Sequence, residues 1–217
     1  MKRMITKDKS ATFFSRKYQE HYHSISGALE EAFKKYAEPC RIAELAEKQG
    51  SVNILDICFG IGYNSLAAIA TALKAKPDCC IRIIALENDR EIIEKMKTID
   101  LGTELEPFYK LLKGEATRPR VSFELIIADA IDSIKLIDPG QFRADAVFLD
   151  PFSPKRCPEL WTTEFLKDIR RVMKRSAILA TYSCARAVRE NLKSAGFRVK
   201  DGPFVGRYAP STLAFQA

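Results

Sequence analysis

No apolar run in this 217-residue chain approaches the roughly 18 residues needed for a membrane-spanning helix. The N-terminal stretch Met1-Lys2-Arg3-Met4-Ile5-Thr6-Lys7-Asp8-Lys9 is basic but has no apolar core, so no secretory signal is read there. Histidine is scarce, at two residues, and the six cysteines (40, 58, 79, 80, 157 and 184) include no C-x-x-C pair. Neither a disulfide framework nor a zinc site is indicated, so no metal is expected, and reduced thiols in a cytoplasmic protein are the simple reading. No internal repeat and no low-complexity segment appear. A hydrophobic content of 47% against 29% charged residues excludes a largely disordered chain. At this length one domain with a sizeable core is the default.

The net charge is +7 and unevenly placed. Residues 151–217 hold 13 Lys and Arg against 5 Asp and Glu, a balance of +8, while residues 1–150 are close to neutral at −1. Two readings fit: solvated basic helix faces, or a face that attracts a polyanion such as RNA. Charge alone does not separate them.

Apolar spacing of three and four predicts a helix over 28–49, with residues 1–27 a small N-terminal extension or lid before it. Apolar, β-branched runs predict buried strands at 52–59, with Cys58 inside it, and at Ile81–Glu87, Phe123–Ala128, Ala144–Asp150 and Ala177–Tyr182. Helices are expected between them over 63–74, 89–97, Ala130–Leu136 and 162–174, with 184–195 after the fifth strand; 100–120 reads as helix plus loop. Phe197–Lys200 and Ser211–Phe215 leave no room for a helix between them and read as a hairpin. This alternation implies an α/β fold, with a mostly parallel sheet covered by helices on both faces and an antiparallel hairpin at its end. The chain divides into residues 1–50, an N-terminal extension or lid with the first helix, and 51–217, the α/β domain.

The most informative stretch is Leu55-Asp56-Ile57-Cys58-Phe59-Gly60-Ile61-Gly62-Tyr63-Asn64-Ser65: a buried strand, a glycine turn and a helix start. Glycine there lets backbone approach a ligand without a Cβ in the way. The dinucleotide fingerprint would continue G-x-x-G/A, but Ser65 stands at its third place. Asp56 near the loop would repel a pyrophosphate and suits a cofactor carrying a cationic sulfonium and an amino group, so S-adenosylmethionine (SAM) fits better than NAD. Glu87 ends the second strand, where a carboxylate can accept both ribose hydroxyls. Asp129 ends the third, where it can take an adenine amino group while the Ala130 N–H meets a ring nitrogen; capping a helix is its competing role. Asp150-Pro151-Phe152-Ser153-Pro154 follows the fourth strand. Its carboxylate can hold a substrate amine or take its proton, its aromatic ring can stack on a base, and its prolines stiffen the loop. Tyr22 and His23, in the only histidine cluster, are candidates for a lid contact with cofactor or substrate. Trp161 and Tyr182 read as core packing rather than base binding.

The chain resembles the methyltransferase module of MnmC, the tRNA 5-methylaminomethyl-2-thiouridine biosynthesis enzyme, and its stand-alone relatives. The matching segments are Glu20-His21-Tyr22-His23-Ser24, Phe59-Gly60-Ile61-Gly62-Tyr63-Asn64, Leu86-Glu87 and, most specific, Phe148-Leu149-Asp150-Pro151-Phe152-Ser153-Pro154 through Trp161. Shorter matches run on to Gly206-Arg207. The resemblance implies a Rossmann-like class I SAM methyltransferase fold with seven strands. It implies methyl transfer to the amine of 5-aminomethyl(-2-thio)uridine at the tRNA wobble position, in the anticodon loop. On that resemblance Gly60, Gly62, Asn64, Glu87 and Asp129 would bind the cofactor, Asp150 would sit beside both the cofactor's sulfonium and the accepting amine, and Phe152 would lie near the base; Phe59, in the same glycine loop, is a further cofactor-binding candidate. The bifunctional enzyme has Asp-Gly-Phe-Ala-Pro where this chain has Asp-Pro-Phe-Ser-Pro, which keeps acid and aromatic in place. The chain ends at Ala217 without a counterpart of the FAD-dependent oxidase module, so the expected substrate is an amine supplied by another route.

Two competing functions use the same fold: a spermidine synthase-like aminopropyltransferase, and a non-catalytic RNA-binding module. The first calls for more acids around the site to hold a polycation, and the basic balance after residue 150 weighs against it. The second predicts loss of the glycine loop or of Asp150, and both are present.

Overall fold

Ser51–Ile57 (β4) is flanked on both sides and covered on both faces, which is why Val52, Ile54, Leu55 and Ile57 are all fully buried. The computed structural model describes all residues 1–217 and orders the main sheet β6-β5-β4-β7-β8-β10-β9. Here β5 is Cys80–Glu87, β6 Val121–Ile127, β7 Ala144–Leu149, β8 Met173–Thr181, β9 Phe197–Asp201 and β10 Thr212–Gln216. The first five strands run parallel; β10 pairs antiparallel with both β8 and β9, so the expected closing hairpin is present. From β4 the chain moves outward through β5 and β6, then returns to β7 on the other side of β4. That reversal opens a crevice beyond the carboxyl ends of the strands, where ligands bind in open α/β sheets. Register places Ile57 beside both Leu86 and Leu149, so the glycine turn, Glu87 and Asp150 leave the sheet at one level.

Helices cover both faces. On one lie α3 (Tyr63–Ala75), α4 (Arg90–Lys97) and α5 (Glu106–Lys113) with the first helical segment; on the other lie α6 (Ala130–Leu136), α7 (Thr163–Arg171) and α8 (Arg186–Ser194). The small side chains of α3 let it sit deep against the sheet, with Leu66, Ala67, Ala68 and Ile69 fully buried. No helix is long and apolar enough to cross a membrane.

The structure departs from three local expectations. The expected helix over 28–49 is broken: α1 (Ala28–Glu31) continues as a π-helical stretch, Ala32–Ala37, and α2 (Ile42–Gln49) starts only after a turn. Pro39 has no N–H to continue the ladder, and Arg41 is left-handed at φ 60°. The segment before this helix, residues 1–27, which the sequence leaves as an extension or lid, carries a three-stranded antiparallel sheet of its own, β1 (Lys2–Ile5), β2 (Ala11–Ser15) and β3 (Glu20–His21). Met173–Ser176 is strand rather than the end of the preceding helix and the loop after it: Met173 pairs with Ala144, and Lys174 reaches Asp145 at 2.8 Å. Cys58 lies just past β4 in the turn, at φ 64°, not inside the strand.

Candidate active site

The chain after β4 turns sharply, with Cys58, Gly60 and Gly62 all at positive φ. A left-handed cysteine costs energy and persists only where its surroundings enforce it. Here the N–H groups of Cys58 and Phe59 both donate to the Leu86 carbonyl, at 2.9 and 3.0 Å. Gly60 then donates its N–H to Glu87 Oε2 at 2.8 Å. Gly62 serves packing rather than ligand approach: a Cβ on it would strike the Phe59 ring, which is buried against Phe123. Asp56 sits beneath the turn, fully buried, accepting from Ser65 Oγ at 2.6 Å. Burial pushes its carboxyl up to about 8, and its Oδ1 has no partner.

Glu87 accepts from three backbone N–H groups: Gly60 on Oε2, and Asn88 and Asp89 on Oε1, each of those two at 2.9 Å. A carboxylate offers about four acceptor positions, so one remains for a ribose hydroxyl, where sequence reasoning anticipated two. Burial raises its pKa while the backbone donors lower it.

The opposite wall is assembled by side chains from distant segments. Asp150, at the end of β7, accepts from Tyr36 Oη at 2.5 Å on Oδ1 and from Asn64 Nδ2 at 2.9 Å on Oδ2. Desolvation holds its carboxyl up at about 6 against those two hydrogen bonds. Tyr36 is buried on the π-helical stretch and packs edge-on against Phe148. Lys35, also buried, pairs with Glu31 at 2.5 Å beside it. The loop after Asp150 is gripped by Glu20 of β3, which accepts the Ser153 N–H at 2.9 Å and its Oγ–H at 2.5 Å. Trp161 donates its indole N–H to the Phe152 carbonyl at 3.0 Å. Tyr18 stacks on Phe152 with centroids 4.4 Å apart, and Tyr22 meets that ring edge-on at 4.9 Å. One face of Phe152 is thus already covered, which narrows the base-stacking role expected for it. Tyr22 also donates to Asp89 at 2.7 Å, tying the N-terminal sheet to the Glu87 side.

Between the walls lies a cavity of 320 Å³, within the range of small-molecule sites, about 300–1,000 Å³. Of the residues singled out from the sequence, Tyr22, His23, Gly60, Asn64, Glu87, Asp150 and Phe152 line it. Asp56, Phe59, Gly62 and Ala130 are buried and do not line it. Asp129 is exposed and accepts the Ile131 N–H at 2.8 Å, so it caps α6, the competing role weighed for it. Tyr36, Lys35, Glu31, Glu20 and Arg207 line the cavity and were not singled out as site residues. Tyr182 also lines it, whereas Trp161 is buried in the core. The helical period read over 28–49 concealed the π-helical stretch that carries Lys35 and Tyr36 to this wall.

Four carboxylates, Glu20, Glu31, Glu87 and Asp150, line the cavity against two cations, Lys35 and Arg207. His23 stays neutral, because burial pulls its pKa down to about 4. The Nδ1 atoms of His21 and His23, both lining residues, are buried without partners. A net-acidic wall with free acceptor positions fits a cationic cofactor bearing a ribose and an amino group, and does not fit a pyrophosphate. No group of three or more His, Cys, Asp or Glu is placed to hold a metal ion.

Residues 102–217 match the model of a family described as S-adenosyl-L-methionine-dependent methyltransferases. The crystal structure of MNMC2 from Aquifex aeolicus superposes with a TM-score of 0.88 at 31% identity, covering 99% of this chain and 70% of that one. The chain belongs to this methyltransferase family. Two curated relatives are similar over nearly the whole chain. An uncharacterised protein of Methanocaldococcus jannaschii is 33% identical over 97% of this chain and 58% of its own length. The tRNA 5-methylaminomethyl-2-thiouridine biosynthesis bifunctional protein MnmC of Paraburkholderia xenovorans is 30% identical over 93% of this chain. The chain spans only 34% of that MnmC. As a member of the family it is a SAM-dependent methyltransferase with the Rossmann-like fold expected from the sequence.

Proposed function

We propose that this methyltransferase N-methylates the amine of 5-aminomethyl(-2-thio)uridine at the wobble position of tRNA. The observation that carries the reading is Asp150: a carboxylate at the crevice, fixed by Tyr36 and Asn64, with one acceptor position still free on each oxygen. The similarity to MnmC supports the choice of nucleoside, and the +8 balance after residue 150 suits an RNA substrate.

Bound SAM supplies an electrophilic methyl group on a cationic sulfonium. Glu87 and Gly60 would hold its nucleoside side, and His21 and His23 offer further polar contacts. An aliphatic amine arrives largely as an ammonium ion, which cannot attack. Asp150 holds that ammonium through its free acceptor positions and takes one proton onto a carboxylate oxygen, leaving the nitrogen lone pair available. Tyr36 and Asn64 lock the carboxylate in place, so the amine is positioned by a rigid partner, and such positioning supplies much of the rate in methyl transfer. With Asp150 at about 6, the carboxylate is ionised at neutral pH yet is a stronger base than an exposed aspartate.

The acids of the cavity recommend small polyamines as the second substrate class, in the manner of an aminopropyltransferase. Glu20 and Glu31 are already engaged by Ser153 and Lys35, which leaves few free carboxylates for a polycation. The test is nucleoside mass spectrometry of tRNA bearing unmethylated 5-aminomethyluridine, incubated with the protein and SAM. A gain of one methyl on that nucleoside, absent for Asp150→Ala, is expected. No gain on tRNA, with SAM binding intact and transfer to a polyamine, would overturn the nucleoside assignment.

A further inference from the structure

The connection between β9 and β10 is the one place where large aromatic side chains stand free beside the cavity. Its base is closed by two backbone hydrogen bonds, Gly202 N–H to Ser211 O and Ser211 N–H to Pro203 O, each 2.9 Å. Beyond that closure the side chains alternate in role. Phe204 is 64% exposed and Tyr208 is fully exposed, while Val205 between them is buried and anchors the loop. Gly206 and Arg207 line the cavity. Gly206 is left-handed and seated against Ser26, where any Cβ would collide, so the loop is pressed onto the segment leading into α1. Arg207 donates to the carbonyls of Tyr182 and Pro210 and lies over the Tyr182 ring, 5.7 Å from its centroid.

A fully exposed tyrosine ring contributes nothing to folding, since its apolar surface remains in water. The fold therefore does not explain Tyr208. Its setting does: two free rings on either side of residues that form the cavity wall, in a segment whose only charged side chain is cationic. Protein-binding surfaces require a broad contiguous patch. Separate aromatic faces interleaved with arginine are what unpaired nucleotides stack on.

We infer that residues 204–208 form a stacking platform for the unpaired nucleotides of an RNA strand that flank the one entering the cavity. This rests on the nucleic-acid substrate proposed above and names the surface that would grip it. A base reaching Asp150 must leave its own stack, and Phe204 and Tyr208 would replace the stacking that its neighbours lose.

The experiment measures binding of a fluorescently labelled anticodon stem-loop RNA to the full chain by anisotropy at several salt concentrations, with SAM affinity followed by calorimetry. Tyr208→Ala is expected to weaken RNA binding by about 5- to 100-fold, the usual value of one base–aromatic stack. Tyr208→Phe should bind like the wild type, because it keeps the face. The salt dependence of binding should be unchanged in Tyr208→Ala, since stacking releases no counterions, and SAM affinity should not move. Wild-type RNA binding undiminished in both Tyr208→Ala and Phe204→Ala would overturn the platform while leaving the RNA substrate intact. Loss of self-association in Tyr208→Ala with unchanged RNA affinity would reassign the rings to a protein contact. No RNA binding by the wild type, with SAM bound normally, would overturn the platform and the RNA reading together.

Discussion

The two walls of the cavity are built differently. The Glu87 wall is held by main chain: the Leu86 carbonyl fixes the turn, and three backbone N–H groups fix the carboxylate, with partners at most 28 residues apart. The Asp150 wall is held by side chains that meet across far longer spans, 114 residues for Tyr36 and 133 for Glu20 with Ser153. Backbone-held geometry depends on a few glycines and a strand end, so one form of it serves many chemistries on one fold. Side-chain geometry depends on which residues are present, so it can differ from one member of the fold to another. The expectation that follows is separable behaviour: changes in the first wall act on cofactor affinity, and changes in the second act on turnover.

Asp150→Ala gives the sharpest test, with kcat expected to fall by about 10²- to 10⁴-fold through loss of the proton acceptor. SAM affinity by calorimetry should stay near wild type; a large loss of affinity would break the distinction between the walls. Glu87→Ala should do the reverse. It is expected to raise the SAM Kd by about tenfold or more, the scale of a hydrogen bond to a charged group, and Glu87→Gln should recover part of that. Unchanged affinity would remove Glu87 from the cofactor site.

Tyr36→Phe sharpens the comparison, because it leaves both walls standing and removes one donor to Asp150. That hydrogen bond favours the carboxylate form, so its loss raises the Asp150 pKa above about 6. Turnover that needs the ionised group is lost as pH falls through the pKa. The acid limb of the kcat profile should therefore move to higher pH, by about one unit for a bond of this kind. A limb that stays in place would mean that Tyr36 only packs.

The smallest effect is on stability. Burial holds Asp56 up at about 8, above an unfolded aspartate near 4. Between those values the folded chain keeps a proton that the unfolded chain has released, so stability falls as pH rises through that window. Asp56→Asn keeps an acceptor for Ser65 and removes the titration. Its Tm should exceed the wild type by a few degrees near pH 8, at about 2–4 °C per kcal/mol for a chain of this size, and the gap should close toward pH 5. Equal melting at both pH values would contradict it.

The alternation of strands and helices, the closing hairpin, and the placement of the glycine turn, Glu87 and Asp150 at strand ends were all legible along the chain. Each is a local pattern, an apolar run closed by a glycine or an acid. The misreadings arose where a local pattern was overruled. The periodicity of 28–49 continued through Pro39, and Met173–Ser176 became strand because Ala144 and Asp145 offered partners.

What the sequence determined by itself is the sheet, its polarity and the acids that end its strands, since these follow from periodicity and from residues adjacent in the chain. Only the tertiary structure decided which of those acids face the cavity. Asp56 and Asp129 are as conspicuous in the chain as Glu87 and Asp150, yet one is buried under the turn and the other caps a helix. The tertiary structure also brought Tyr36, Glu20 and Arg207 to the site. A side-chain hydrogen bond across a hundred residues leaves no trace in local spacing, because it exists only once the sheet has ordered the segments that carry its two ends.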